Sequence, residues 1–325
     1  MMRHFLDGLG GWPQEPMEFK GFHGYKPWTM KEKAMFSGSF TALITPFKNG
    51  AVDEQSYQDL VQAQIDAGTH GLVPCGTTGE SPTLSHEEHM RVTELCLEVN
   101  AGKLKIIAGT GSNATEEAIM LQRHARDAGA DAGLVVTPYY NKPTQAGLIA
   151  HYRAIADSVD LPIIIYNIPA RSVVDMTVET MATLAKHSNV VGVKDATADL
   201  VRPLATRLAC GPDFCQLSGE DATAVPFLSQ GGHGCISVTS NIAPKLCADL
   251  HNAWNGGDRI KVQEINDLLL PLHDAMFCES SPGPVKYAAQ LMGMASAELR
   301  LPLVEISEAS KNKVSAALKG AGLLG

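Results

Sequence analysis

Lys194 closes the apolar run Val190-Val191-Gly192-Val193 and is followed by Asp195. An ammonium at the end of a buried strand costs free energy unless it is paired or gives up its proton. A desolvated lysine is a nucleophile that forms Schiff bases with carbonyl compounds. Taken alone, a snorkelling side chain or an ion pair with Asp195 is the commoner explanation. A second apolar run, residues 162–166, ends in Tyr166-Asn167, and a segment of helical pattern separates the two runs. Buried parallel strands joined by a crossover helix read this way, and their working residues sit past the strands' carboxyl ends. That places Tyr166 and Lys194 on adjacent strand ends, facing a common site.

Other strand ends carry further chemistry. The second strand runs into Gly76-Thr77-Thr78-Gly79-Glu80-Ser81. Glycines let backbone amides turn toward a ligand, and the hydroxyls add donors. Such a loop suits a small carboxylate as well as a phosphate; without Gly-Lys-Ser/Thr at the right spacing it is not a Walker loop. A plain Gly/Thr turn is the competing reading. The fourth strand ends in Thr137-Pro138-Tyr139-Tyr140, a pair that in isolation reads as interface packing. Arg171, five residues beyond Tyr166, is a bidentate carboxylate clamp by type. The seventh strand ends in Ser218-Gly219-Glu220-Asp221, and the eighth carries Ile236. His86 and His89 stand three apart at a helix start, where a metal would need more ligands nearby.

These residues need a scaffold that gathers strand ends. From Phe36 onward, strand and helix signals alternate about every 25 residues. The predicted strands are residues 40–45, 71–75, 105–109, 133–137, 163–166, 190–194, 214–218 and 234–238. Ser85-x-x-Glu88 and Asn113-x-x-Glu116 read as capping-box helix starts, and Gly68 and Gly129 as helix stops. Eight repeats predict an α/β fold, a closed (β/α)8 TIM barrel rather than an open doubly wound sheet. No Gly-x-Gly-x-x-Gly follows the first strand. Residues 258–325 read as helices: through Leu268–Leu270, after Pro282-Gly283-Pro284, and from about Glu305 to Leu318. The expected organisation is therefore an extension over residues 1–34, a catalytic barrel over 35–257 and a helical C-terminal domain over 258–325. Residues 1–34 have no apolar period and neither signal-peptide nor transit-peptide character. They are expected to be poorly ordered or loosely docked, either a real appendage or an early start assignment with Met35 as the natural alternative.

Composition narrows the classes. Of 325 residues, 45% are apolar, enough for a large core. The formal charge of −9, with no basic cluster, argues against nucleic acid. No apolar run approaches the roughly 20 residues that span a bilayer. Seven cysteines without CxxC spacing fit free thiols in a reducing cytoplasm.

The motifs Gly-Thr-Thr-Gly-Glu-Ser, Thr-Pro-Tyr-Tyr-Asn, Tyr-Asn-x-Pro-x-Arg and Gly-x-Lys-Asp-Ala-Thr occur in that order. Together they closely resemble the dihydrodipicolinate synthase family of class I pyruvate-dependent lyases, from about Met35 to the end. The resemblance implies a barrel, a helical C-terminal domain and a homotetramer built as a dimer of dimers. It implies condensation of pyruvate with L-aspartate 4-semialdehyde in lysine and diaminopimelate biosynthesis, with no metal or organic cofactor. By carry-over, Lys194 forms the Schiff base and Thr77 and Thr78 hold the pyruvate carboxylate. Tyr166 shuttles protons, linked through Thr77 to Tyr140 from a neighbouring subunit. Arg171 receives the carboxylate of the second substrate, and Gly219 and Ile236 line the pocket. In lysine-sensitive members L-lysine binds at a dimer interface; the matching positions are Ser81, Pro82, His86, His89, Asn113, Glu117 and Tyr139. Pro82 departs from the small residue often found there. The rivals are another class I pyruvate aldolase, such as N-acetylneuraminate lyase or a 2-keto-3-deoxy sugar acid aldolase, and a non-catalytic barrel that binds small acids. The former usually lack an arginine at the position of Arg171, and sialic acid lyases have Ser-Thr where this chain has Thr77-Thr78.

Overall fold

The computed structural model describes residues 35–324; the expected N-terminal extension lies outside the described residues. Eight strands form the centre: β1 Gly38–Ala42, β2 Gly71–Val73, β3 Lys105–Gly109, β4 Ala132–Val136, β5 Ile163–Asn167, β6 Val190–Asp195, β7 Cys215–Ser218 and β8 Gly234–Ser237. Each pairs in parallel with its sequence neighbours. β1 also pairs with β8, through Phe40 opposite Ile236, which closes the barrel. Closure satisfies both edges of the sheet and sends all eight carboxyl ends to one mouth.

The strands are largely buried because both of their faces are covered. Ile107, Leu134, Ile164 and Leu217 belong to the cluster that fills the barrel. Their neighbours Ile106, Val135, Ile163 and Ile165 pack outward in the cluster beneath the helices. This period of two puts Tyr166 on the inner face with Ile164.

Local signals set most boundaries. Ser85 and Glu88 form the expected capping box at helix His86–Asn100. Gly129, at φ +98°, stops helix Thr115–Ala128, and Gly68 stands at φ +79° just past Glu54–Asp66. The capping box expected at Asn113 does not form. Helix Thr115–Ala128 is entered through Ala114 with no side-chain cap. The Asn113 amide is spent elsewhere, donating to the Tyr139 carbonyl at 3.2 Å. β2 ends at Val73, before the expected Cys75, because Pro74 has no N–H for the ladder and Cys75 turns to φ +55°. β1 starts and stops earlier than expected; beyond it, the Ile44 N–H donates to Asn241 Oδ1 at 3.0 Å. An antiparallel ribbon, Phe47–Lys48 against Ala51–Val52, follows β1 and was not anticipated.

Past β8 come helices Pro244–Asn255, Arg259–Met276, Gly283–Leu291 and Glu308–Gly320. The last begins at Glu308, later than expected, because the Ser307 side chain caps it by accepting from the Ser310 N–H. Ile265, Leu272, Val285, Val314 and Leu318 join Ile44, Leu60 and Val238 in one apolar cluster. Among the described residues no helix is long and apolar enough to cross a membrane. The seven cysteines are free thiols.

Candidate active site

β5 and β6 pair with Tyr166 opposite Lys194. The lysine Nζ lies 4.1 Å from the centre of the tyrosine ring. Both residues are buried, at 5% and 6% exposure. The pairing of Lys194 with Asp195, the plain alternative, does not occur. Asp195 Oδ2 accepts instead from Arg202 Nε at 2.9 Å. Arg202 Nη1 donates to Asp175 Oδ2 at 3.1 Å, and Asp175 Oδ1 accepts from Asn167 Nδ2 at 2.7 Å. Arg202 Nη2 donates to the Met176 carbonyl, and the Met176 N–H returns to Asn167 Oδ1 at 2.9 Å. Asn167 and Asp195 are themselves opposite in register, one residue past Tyr166 and Lys194. The ring of polar bonds therefore clamps both strand ends, while the residues just before them meet each other. The amine is left without a carboxylate partner among the described residues.

The loop after β2 is a compact turn. The Gly79 and Glu80 N–H groups donate to the Gly76 and Thr77 carbonyls at 3.1 Å each, and Thr45 Oγ1 donates to the Gly79 carbonyl at 2.8 Å. Thr78 is buried and Thr77 half-buried. Gly219 is fixed by its N–H, which donates to the Asp195 carbonyl at 2.6 Å. A Cβ there would stand 2.7 Å from that of Ala196, so the close approach requires glycine. Ile236 shares the inner cluster with Tyr166. Glu220, half-buried at the end of β7, is held above the ordinary carboxylate range by burial and then by Asp221, with the Lys194 charge opposing both.

Arg171 lies on the short helix Pro169–Ser172 after β5 and is exposed; one long bond, 3.4 Å, runs from its Nη2 to the Ser281 carbonyl. Within one chain Tyr140 is 91% exposed, at φ +70°. Strain marks the same mouth. Cys75, Glu80, Tyr140, Lys142, Val173 and Ala198 all have positive φ, and all stand on loops that follow barrel strands. For a β-branched residue such as Val173, at φ +64°, this is a rare conformation. Such outliers gather where a loop's shape serves a ligand.

Comparison with known proteins decides the family. The family model described as the dihydrodipicolinate synthetase family matches residues 35–321. The chain belongs to the dihydrodipicolinate synthetase family. A relative from Rhodospirillum centenum, named 4-hydroxy-tetrahydrodipicolinate synthase, is 66% identical over 290 residues, 89% of this chain and 100% of its own. A dihydrodipicolinate synthase structure from Acinetobacter baumannii, described as chloride inhibited and complexed with pyruvate, superposes with a TM-score of 0.86 at 45% identity. That match covers 89% of this chain and 99% of the other. A structure from Cyanidioschyzon merolae with lysine bound gives a TM-score of 0.87 at 38% identity, covering 90% and 100%.

Most of the positions expected to receive L-lysine lie together in a second cluster. His86 Nε2 and Glu117 Oε1 are 2.5 Å apart, and Ser112 Oγ donates to the other Glu117 oxygen. Those bonds, Ser112 first, hold the Glu117 carboxyl below its ordinary range. His89 is buried with its Nδ1 unpartnered among the described residues; burial pulls it down to about 4, so the ring is neutral at pH 7. Burial, then the Glu117 charge, pushes the Tyr139 hydroxyl up. Asn113 reaches the Tyr139 carbonyl, and Ser81 and Pro82 stand on the turn Ser81–Thr83 that leads into the helix of His86. Ser112 was missing from the sequence reading, because a lone serine before a helix carries no mark of its partner. Arg202 was missing for the same reason, although an arginine seven residues past Asp195 is a visible candidate partner.

Proposed function

We propose that the protein is a 4-hydroxy-tetrahydrodipicolinate synthase, a lyase that condenses pyruvate with L-aspartate 4-semialdehyde in lysine and diaminopimelate biosynthesis. The observation that carries the reading is the buried Lys194 amine over the Tyr166 ring, with no ion-pair carboxylate among the described residues. The quoted relative carries the synthase name rather than that of a sugar acid aldolase.

Lys194 Nζ attacks the keto carbon of pyruvate, and the carbinolamine loses water. The protonated imine withdraws electrons, so a methyl proton leaves and an enamine forms. The enamine carbon attacks the aldehyde of the second substrate. The amino group of the adduct then displaces Lys194 and closes the ring, returning the free amine. Thr77 and Thr78, with the amides of their loop, receive the pyruvate carboxylate. Tyr166 moves protons between imine, enamine and aldehyde oxygen, through Thr77 to Tyr140 of a second subunit. Gly219 and Ile236 shape the wall. Residues 35–257 make the catalytic barrel and 258–325 a helical domain. We place the enzyme in the cytoplasm as a homotetramer, a dimer of dimers; the exposure of Tyr140 within one chain supports assembly. A coupled assay with pyruvate and aspartate semialdehyde tests the activity; no turnover overturns it.

Arg171→Ala is expected to impair use of the semialdehyde far more than imine formation with pyruvate. The clamp acts after the imine exists, and loss of a charge-assisted contact costs roughly 1.5–3 kcal/mol. Steady-state kinetics beside pyruvate trapping separates the two steps. An equal loss in both contradicts the assignment.

The second cluster is read as a site for L-lysine. Glu117 meets the α-ammonium, while Asn113, Tyr139 and the two histidines face the rest of the ligand. Partial or full inhibition that added pyruvate does not relieve is expected, with a coupling of about 1–3 kcal/mol. Glu117→Ala is expected to abolish it. Rate against lysine concentration at saturating pyruvate decides the matter, and persistent inhibition in the variant refutes the role.

A further inference from the structure

Glu80 belongs to the loop that carries Thr77 and Thr78, yet its side chain leaves the barrel mouth. Its Oε1 accepts from Lys286 Nζ at 2.6 Å, and its Oε2 from the Arg300 N–H at 3.2 Å. The Lys286 and Glu80 side chains are 0% and 1% exposed. The Lys286 ammonium lies 4.2 Å from the centre of the Phe47 ring, and the Arg300 guanidinium 4.3 Å from it. Arg300 Nη1 and Nη2 also fork onto Glu88 at 2.6 Å each, and Nη1 donates to the Thr83 carbonyl at 2.7 Å. Back in the loop, Glu80 stands at φ +55° and its N–H donates to the Thr77 carbonyl.

Two charges taken wholly out of water cost as much as their attraction returns, and apolar residues of similar volume often serve stability as well. Apolar contacts would not fix a direction. Here the Lys286 and Arg300 N–H bonds hold the carboxylate, and the strained backbone behind it holds the Thr77 carbonyl. Lys286 and Arg300 lie 206 and 220 positions from Glu80, on helix Gly283–Leu291 and the segment after it. The C-terminal part of the chain thus grips the loop directly.

We propose that Glu80, gripped by Lys286 and Arg300, is a positioning residue that sets the affinity of the Thr77–Thr78 loop for the carboxylate of a 2-keto acid. This rests on the reading of that loop as the pyruvate carboxylate site. The test is borohydride trapping across pyruvate concentrations, on the full chain, with thermal midpoints measured alongside. The double variant Glu80→Leu with Lys286→Met removes both charges and keeps the volume. Half-saturation by pyruvate is expected to rise about tenfold or more, since misplacement of a positioned group by about 1 Å can cost roughly 10²-fold. The plateau of trapped Lys194 is expected to match the wild type, with a midpoint within a few degrees. Should the double variant not fold, Glu80→Gln keeps the shape and is expected to raise half-saturation several-fold. An unchanged half-saturation in the folded variant overturns the proposal, as does a fall in plateau alone. Absence of trapping in the wild type would instead overturn the proposed function.

Discussion

Borohydride added with pyruvate is expected to inactivate the enzyme irreversibly and to place the reduced adduct on the peptide that carries Lys194. Of the candidate site residues, Lys194 is the buried amine, and among the described residues no carboxylate forms an ion pair with it. Reduction converts the imine to a stable secondary amine, so the label reports the nucleophile itself. Lys194→Ala is expected to abolish labelling and to lower kcat by about 10³-fold or more, because a covalent path is lost rather than a contact. The side chain faces an aromatic ring, so its removal breaks no ion pair among the described residues. The fold is expected to survive, and a normal circular dichroism spectrum would separate lost chemistry from lost structure. Labelling at another lysine, with Lys194 untouched, would refute the assignment.

Tyr140→Phe is expected to be nearly inactive by itself, and to regain activity when mixed with Lys194→Ala under conditions of subunit exchange. Within one chain Tyr140 is 91% exposed, at φ +70°. The proposed relay therefore runs through this exposed phenol into a neighbour's site. In a two-fold symmetric dimer of the two variants, one site carries both lesions and the other carries neither. Random exchange at equal amounts is then expected to restore about a quarter of wild-type activity. No recovery in verified mixed dimers would place the function of Tyr140 within its own chain.

The barrel was legible because its signals are local. A strand buried on both faces is a short apolar run, a crossover helix has its own period, and eight alternations leave few architectures. The Lys194 end of β6 was legible for the same reason: an ammonium after Val-Val-Gly-Val is an anomaly within five residues. Tyr166 followed from the neighbouring run of like kind. Boundaries were less legible. Pro74 and Cys75 end β2 early through backbone chemistry, and Asn113, a good cap by type, gives its amide to the Tyr139 carbonyl.

What the chain's order could not disclose is which polar group meets which. Asp195 stands beside Lys194 in sequence, yet consecutive strand residues face opposite sides, so its carboxylate goes outward to Arg202. Ser112 finds Glu117 only once their loop is folded. Glu80 and Lys286 are 206 residues apart, and neither sits in a pattern that names the other. Sequence by itself determined the fold class, the lysine that closes β6 and the family motifs, because hydrophobic period and residue type are properties of short segments. Tertiary structure alone decided the ion pairs, the orientation of Tyr140 and the grip on the Thr77–Thr78 loop, because a charge is stabilised by whatever lies within a few ångströms, and closure of the barrel sets those neighbours.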